Sequence, residues 1–157
     1  MSREELEAKL PNLRGEPFAI TSPETPRYNC FAWAMDDDQH WWEPPNPLYD
    51  LFDPVPTRYW PAGALAELSI DGLVSAFGTR GYVECESSAL EPDFEKIAIY
   101  VSATTGLPTH AAKQLPSGDW TSKIGDWEDI THQTVQGVEG TDYGFAVRFL
   151  RRPRHET

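Results

Sequence analysis

The sequence predicts an α+β fold, with helices early and an antiparallel sheet late. Three observations carry this. Short apolar stretches at helical spacing, each opened by a capping residue, fall in the first half of the chain. Most of the 14 prolines crowd into that half too, which breaks it into short pieces. The second half alternates apolar and polar residues between turn signals, as strands with one buried face do. Helices segregated from strands in this way imply a sheet with its helices gathered beside it.

Ser2 with Glu5 reads as a capping box opening a short helix through Leu6 and Leu10, which Pro11 ends. Residues 13–27 read as loop, with Phe18-Ala19-Ile20 as a short edge strand. Asn29 is a sound N-cap for a helix over residues 29–35. Asp36-Asp37-Asp38 then read as a solvated acidic turn, since negative charge is unfavourable at a helix C-terminus. Residues 40–61 hold Trp41, Trp42, Tyr49, Phe52, Tyr59 and Trp60, punctuated by Pro44, Pro45, Pro47, Pro54, Pro56 and Pro61. Prolines forbid a long helix or central strand here, while so much aromatic surface argues against a loose linker. The expectation is a long ordered loop that either lines a cleft or completes the core from outside. Ser69 caps a helix over residues 69–77, and residues 82–86 alternate as a strand. Residues 96–101, 108–115, 120–125 and 143–150 read as strands, with a tight two-residue turn at Ser117-Gly118. Residues 126–140 read as a loop with one helical turn, and residues 151–157 as a frayed tail. The whole chain of 157 residues fits one domain with its core over about residues 28–150.

A formal net charge of −12 argues against nucleic acid or an anionic membrane as partner, and suits a basic partner or plain solubility. The two cysteines, Cys30 and Cys85, are no disulfide framework and no zinc set. No metal or cofactor is implied. Residues 1–10 are charged and amphipathic, unlike a signal peptide, and no apolar run reaches membrane-span length, so a reducing cytoplasm is the default expectation.

The chemistry-bearing run is Tyr28-Asn29-Cys30-Phe31-Ala32-Trp33-Ala34. It sets a thiol at a loop-to-helix junction, where free backbone amides favour the reactive thiolate. Downstream, Thr109-His110-Ala111-Ala112 sets a histidine on a strand. Cys30 as nucleophile and His110 as general base outline a thiol hydrolase, with the Cys30 amide as oxyanion donor. The opposite reading makes Cys30 a buried core thiol and His110 a satisfied structural histidine. His40 and His132, in loops, and His155, in the tail, are secondary candidates. The third member stays open. A two-residue turn places Thr121 and Lys123 on the face of His110, a register shift of one places Ser122 there, and Asp126 is the nearest carboxylate. An activated Cys30 is expected to react with iodoacetamide faster than Cys85.

This order of parts resembles the papain-like cysteine hydrolase superfamily, in its compact NlpC-type and CHAP-type branch. Asn29-Cys30 with Ala32-Trp33-Ala34, Thr109-His110-Ala111-Ala112 and Trp120-Thr121-Ser122-Lys123-Ile124-Gly125 are more narrowly similar to an uncharacterised bacterial family of small papain-fold-like domains. The resemblance spans about residues 28–150. It implies N-terminal helices packed on a C-terminal antiparallel sheet, and a peptidase, amidase or deamidase acting on a peptide or amide substrate. One departure stands out: Glu95-Lys96 occupy the place where NlpC-type enzymes carry their histidine, and His110 matches the place of the orienting third residue. Either His110 has become the base, or the domain is a catalytically silent module binding a protein or peptide partner in an immunity or accessory role.

Overall fold

The computed structural model describes residues 1–52 and 54–154, the side chain of Tyr49 excepted; His155 lies outside them. Its centre is a seven-stranded antiparallel sheet. In chain order the strands are β1 (Phe18–Ile20), β2 (Trp41–Trp42), β3 (Arg58–Tyr59), β4 (Val83–Cys85), β5 (Phe94–Val101), β6 (Pro108–Gln114), β7 (Trp120–Lys123), β8 (Asp129–His132) and β9 (Phe145–Pro153). Spatially the sheet runs β1-β8-β7-β6-β5-β9-β4, while β2 and β3 form a separate parallel pair. The helices are α1 (Arg3–Lys9), α2 (Cys30–Ala34), α3 (Pro47–Phe52) and α4 (Ile70–Gly78).

Strand alternation gives the sheet two buried faces, each with its own core. On one face, α2 and α4 pack Cys30, Phe31, Leu73 and Phe77 against Ile97, Ile99, Ala111 and Leu150. On the other, α1 and the 3-10 turns Pro11–Gly15 and Val135–Val138 pack Leu6, Leu10, Leu13 and Val138 against Ala98, Tyr100, Ala112, Trp120 and Ile130. The core therefore does not begin near residue 28. Leu6 and Leu10 are fully buried, so the segment before the cysteine supplies half of one layer.

The local caps form as read. Ser2 and Glu5 make the capping box, and Ser69 caps α4 by accepting from the Gly72 amide. The aromatic segment 40–61 is more structured than a loop, because β2 and β3 pair and α3 lies between them. Trp42 joins the core: its ring meets Tyr59 and Phe77, and its Nε1 donates to Asp37 Oδ2 at 2.9 Å. In the acidic turn Asp36 and Asp38 are exposed, as expected, and Asp37 is partly buried. Asp37 holds Trp42, and Asp36 binds Lys113.

Three further expectations change. Residues 126–140 contain a full strand, β8, which the mixed composition of Asp129-Ile130-Thr131-His132 concealed. The tail is not frayed at Arg151, Arg152 and Pro153, which extend β9. There the Arg152 Nε donates to Glu95 Oε1 at 2.5 Å, both side chains nearly buried. The β6–β7 connection is a three-residue loop, Pro116-Ser117-Gly118: Leu115 pairs with Asp119, and Gly118 takes the positive φ of 94° that closes such a loop. That one extra residue decides which side chains share the face of His110.

Candidate functional site

Asn29 builds the start of α2. Its backbone is extended, and its side-chain oxygen accepts from the Ala32 amide and the Trp42 amide, both at 3.1 Å. Its side-chain nitrogen donates to the Trp42 carbonyl at 2.8 Å. One residue thus caps the helix and ties it to β2, which places Cys30 in the first turn beneath the aromatic segment. Cys30 is buried in the α2-face core. Burial pushes its thiol up to about 12, against the smaller pull of the Ala111 and Phe31 backbone amides and the Lys123 ammonium. At neutral pH the sulfur is a thiol. A helix of five residues sums too few peptide dipoles to offset that desolvation.

His110 lies on the other face. It pairs with Tyr100 across β5–β6, and alternation puts it with Ala112, Trp120 and Tyr100 of the α1-face core, while Ala111 faces α2. Its Nε2 is 2.9 Å from Ser122 Oγ, which is 2.8 Å from His132 Nε2; His132 Nδ1 is 2.8 Å from the Thr134 carbonyl oxygen. The carbonyl can only accept, so His132 Nδ1 carries a proton. A neutral His132 then accepts at Nε2 from the Ser122 hydroxyl, and Ser122 accepts from a protonated His110 Nε2. Burial drives both imidazoles below their ordinary value, so both are neutral. His110 Nδ1 is left as a buried lone pair with no hydrogen-bond partner among the described residues. His110 thus finds a serine and a second histidine, not the cysteine.

The structure therefore does not bring the predicted pair together. Cys30 and His110 stand on opposite faces of the sheet, and their link is aromatic: Tyr143 stacks on His110 at 4.2 Å and also lines the cavity that Cys30 enters. The three-residue hairpin loop selects Ser122, and not Thr121 or Lys123, for the face of His110. Thr121 and Lys123 instead face α2. Thr121 Oγ1 accepts from Trp33 Nε1 at 2.9 Å, and the fully buried Lys123 Nζ donates to the carbonyls of Thr25 at 2.8 Å and Gly125 at 2.6 Å. His40 is half exposed and binds Asp37.

Two hollows meet beside α2. The inner one, about 180 Å³, is lined by Asn29, Cys30, Thr109, Gly125 and Tyr143, together with Trp41, Glu43 and Leu68. The outer one, about 570 Å³, shares Trp41, Glu43 and Leu68 and continues along Pro44, Pro45, Val55 and Arg58. Together they form one groove walled by the aromatic segment, with the thiol at its inner end. Arg58 Nη2 donates to Glu43 at 2.8 Å and Nη1 binds Asp50, yet its buried Nε has no partner among the described residues. Sequence reasoning marked Trp41 through the aromatic cluster. Leu68, Thr109 and Tyr143 carried no signal, because only the folding of distant segments gathers them. Among the described residues no group of His, Cys, Asp and Glu is placed to hold a metal ion, and no helix is long and apolar enough to cross a membrane.

No curated protein and no solved structure matches the chain. A family model matches residues 19–151, a span that covers α2, the aromatic segment and nearly the whole sheet. The chain belongs to the family described as Domain of unknown function (DUF7689).

Proposed function

We propose that this domain is a non-catalytic binding module on a papain-like plan, which takes a peptide segment in the groove between the aromatic segment and α2. The observation that carries the reading is a groove whose inner end is a neutral, buried thiol with no histidine lining the hollow beside it among the described residues. The groove joins apolar walls of Trp41, Pro44, Pro45, Val55 and Leu68 to the polar side chains of Glu43, Asn46 and Arg58, a lining that suits a peptide's mix of apolar side chains and backbone polar groups. The papain-like plan is supported by the order of parts: a capped Asn29-Cys30 helix start lying on β6 and β7 of an antiparallel sheet. The thiol-hydrolase reading retains one supporting observation, that Cys30 lines the inner hollow. Against it, His110, the histidine it needs as proton acceptor, has its Nε2 committed to Ser122 across the sheet.

The test pairs selection with thiol chemistry. A displayed peptide library panned on the intact protein is expected to enrich a motif whose binding Trp41→Ala abolishes. Iodoacetamide at neutral pH is expected to label Cys85, which is partly exposed, well before Cys30, with the Cys30 rate unchanged by His110→Ala. No enrichment, together with rapid Cys30 labelling that His110→Ala slows, would overturn the module and restore the hydrolase.

A further inference from the structure

α3 inverts the usual rule for a surface helix. Leu48, Leu51 and Phe52 fall at i, i+3 and i+4, so they share one face, and that face looks outward: their exposures are 76%, 80% and 87%. Covering such side chains is favourable, yet the fold leaves them in water. The polar side of the same helix is pinned down. Asp50 binds Arg58, Arg58 binds Glu43, and the Asp50 amide donates to the Asn46 carbonyl at 2.9 Å. Asn46 and Val55, on either side of α3, both line the outer groove. The stripe is therefore held outward at the groove's rim.

The charges around it select the occupant. Glu43 and Glu67 line the groove, Asp50 lies on α3, and the groove's arginine, Arg58, is shared between Glu43 and Asp50. The chain as a whole carries 25 acidic against 13 basic side chains. A second copy of this chain would bring like charge to the contact, and an anionic bilayer would repel it. An apolar stripe in an acidic field fits a partner that offers apolar anchors framed by lysine or arginine.

We infer that the occupant of this surface is a cationic amphipathic segment of another protein, which anchors its apolar face on Leu48, Leu51 and Phe52 and runs into the groove beside Trp41. This rests on the groove being a peptide site, and it names the chemistry of the peptide.

Three synthetic peptides test it. They share leucines at helical spacing and carry lysine, glutamine or glutamate elsewhere, and each is titrated calorimetrically into the 157-residue chain. The lysine peptide is expected to bind at least about tenfold more tightly than the glutamine peptide at low salt, and to lose that margin as salt screens the charges. Leu51→Ser with Phe52→Ser, both solvent-facing and so without effect on the circular dichroism spectrum, is expected to weaken the lysine peptide about tenfold or more. Glutamate binding as well as lysine, or an unchanged affinity in the double variant, overturns the inference. So does concentration-dependent dimerisation, or flotation with phosphatidylcholine vesicles, that the double variant abolishes. If the library enriches Trp41-dependent peptides that are acidic or indifferent to the stripe, the cationic partner falls and the groove reading stands. If no peptide binds and Trp41→Ala changes nothing, both fall.

Discussion

Two buried polar clusters, one on each face of the sheet, are built in opposite ways. The α1 face seals a neutral relay, in which His110, Ser122 and His132 hand hydrogen bonds to the Thr134 carbonyl with no charge in the chain. The α2 face carries charge. At the end away from Cys30, Glu95 is nearly buried between Arg152 and Lys113, with Arg154 at 3.5 Å, and Lys113 and Arg152 also reach Asp36. The difference teaches why a cysteine and a histidine close in strand arithmetic do not make a dyad. Adjacent strand positions, His110 and Ala111, open into different interiors, so the imidazole and the thiol meet different neighbours.

The largest effect should come from breaking the charged face. Glu95→Ala leaves the nearly buried Lys113 and Arg152 with only the exposed Asp36 as counter-ion and is expected to cost about 3 kcal/mol in urea unfolding at neutral pH. The sign of its pH dependence follows from its surroundings. Burial pushes the Glu95 carboxyl up, but the Arg152 hydrogen bond and the charges of Lys113 and Arg152 outweigh it and leave it below the ordinary 4.5. Its stabilisation is thus complete above that value and lost as pH falls through the lower folded one. Wild type should lose stability in that acid window more steeply than Glu95→Gln; equal slopes would mean that the ion cluster contributes nothing.

Breaking the neutral relay should cost less. Ser122→Ala removes both the acceptor of His110 Nε2 and the donor to His132 Nε2, and is expected to lower stability by about 1–3 kcal/mol with no change in Cys30 labelling. A labelling change would mean that the two faces communicate through Tyr143.

The smallest effect sharpens the contrast by pH alone. Both histidines sit below their ordinary 6.5 because burial disfavours the cation. The unfolded chain therefore takes up protons first, and stability should begin to fall as pH drops below about 6.5, well above the carboxylate window. Denaturant midpoints measured downward from about pH 7 should show this shoulder, and His132→Gln should shrink it. A flat profile across that range would mean that the histidines titrate as freely folded as unfolded.

The parts of this fold that were legible in the sequence are those set by neighbours along the chain. Ser2, Asn29 and Ser69 cap their helices because a side-chain oxygen two or three residues from a free amide has almost no other geometry available. The proline-broken aromatic segment was recognisable as an ordered wall because its residues could form neither a helix of length nor a central strand. β8 was not legible, since Asp129 and His132 obscure its alternation, and they are buried only because Tyr28 and the Ser122 relay receive them. Nor was the buried Arg152, whose place depends on Glu95, many residues earlier in the chain.

The α+β class, the helix starts, the acidity and an ordered aromatic segment could be read from residue order alone, as consequences of local sterics, hydrogen bonding and composition; that Trp41 lines the groove while Trp42 joins the core could not. Only the tertiary structure decided the fate of Cys30 and His110. A strand's side chains alternate, so facing depends on register, and register here turned on one residue in the loop 116–118. That residue set the imidazole against Ser122, while burial left the sulfur protonated at the end of a groove.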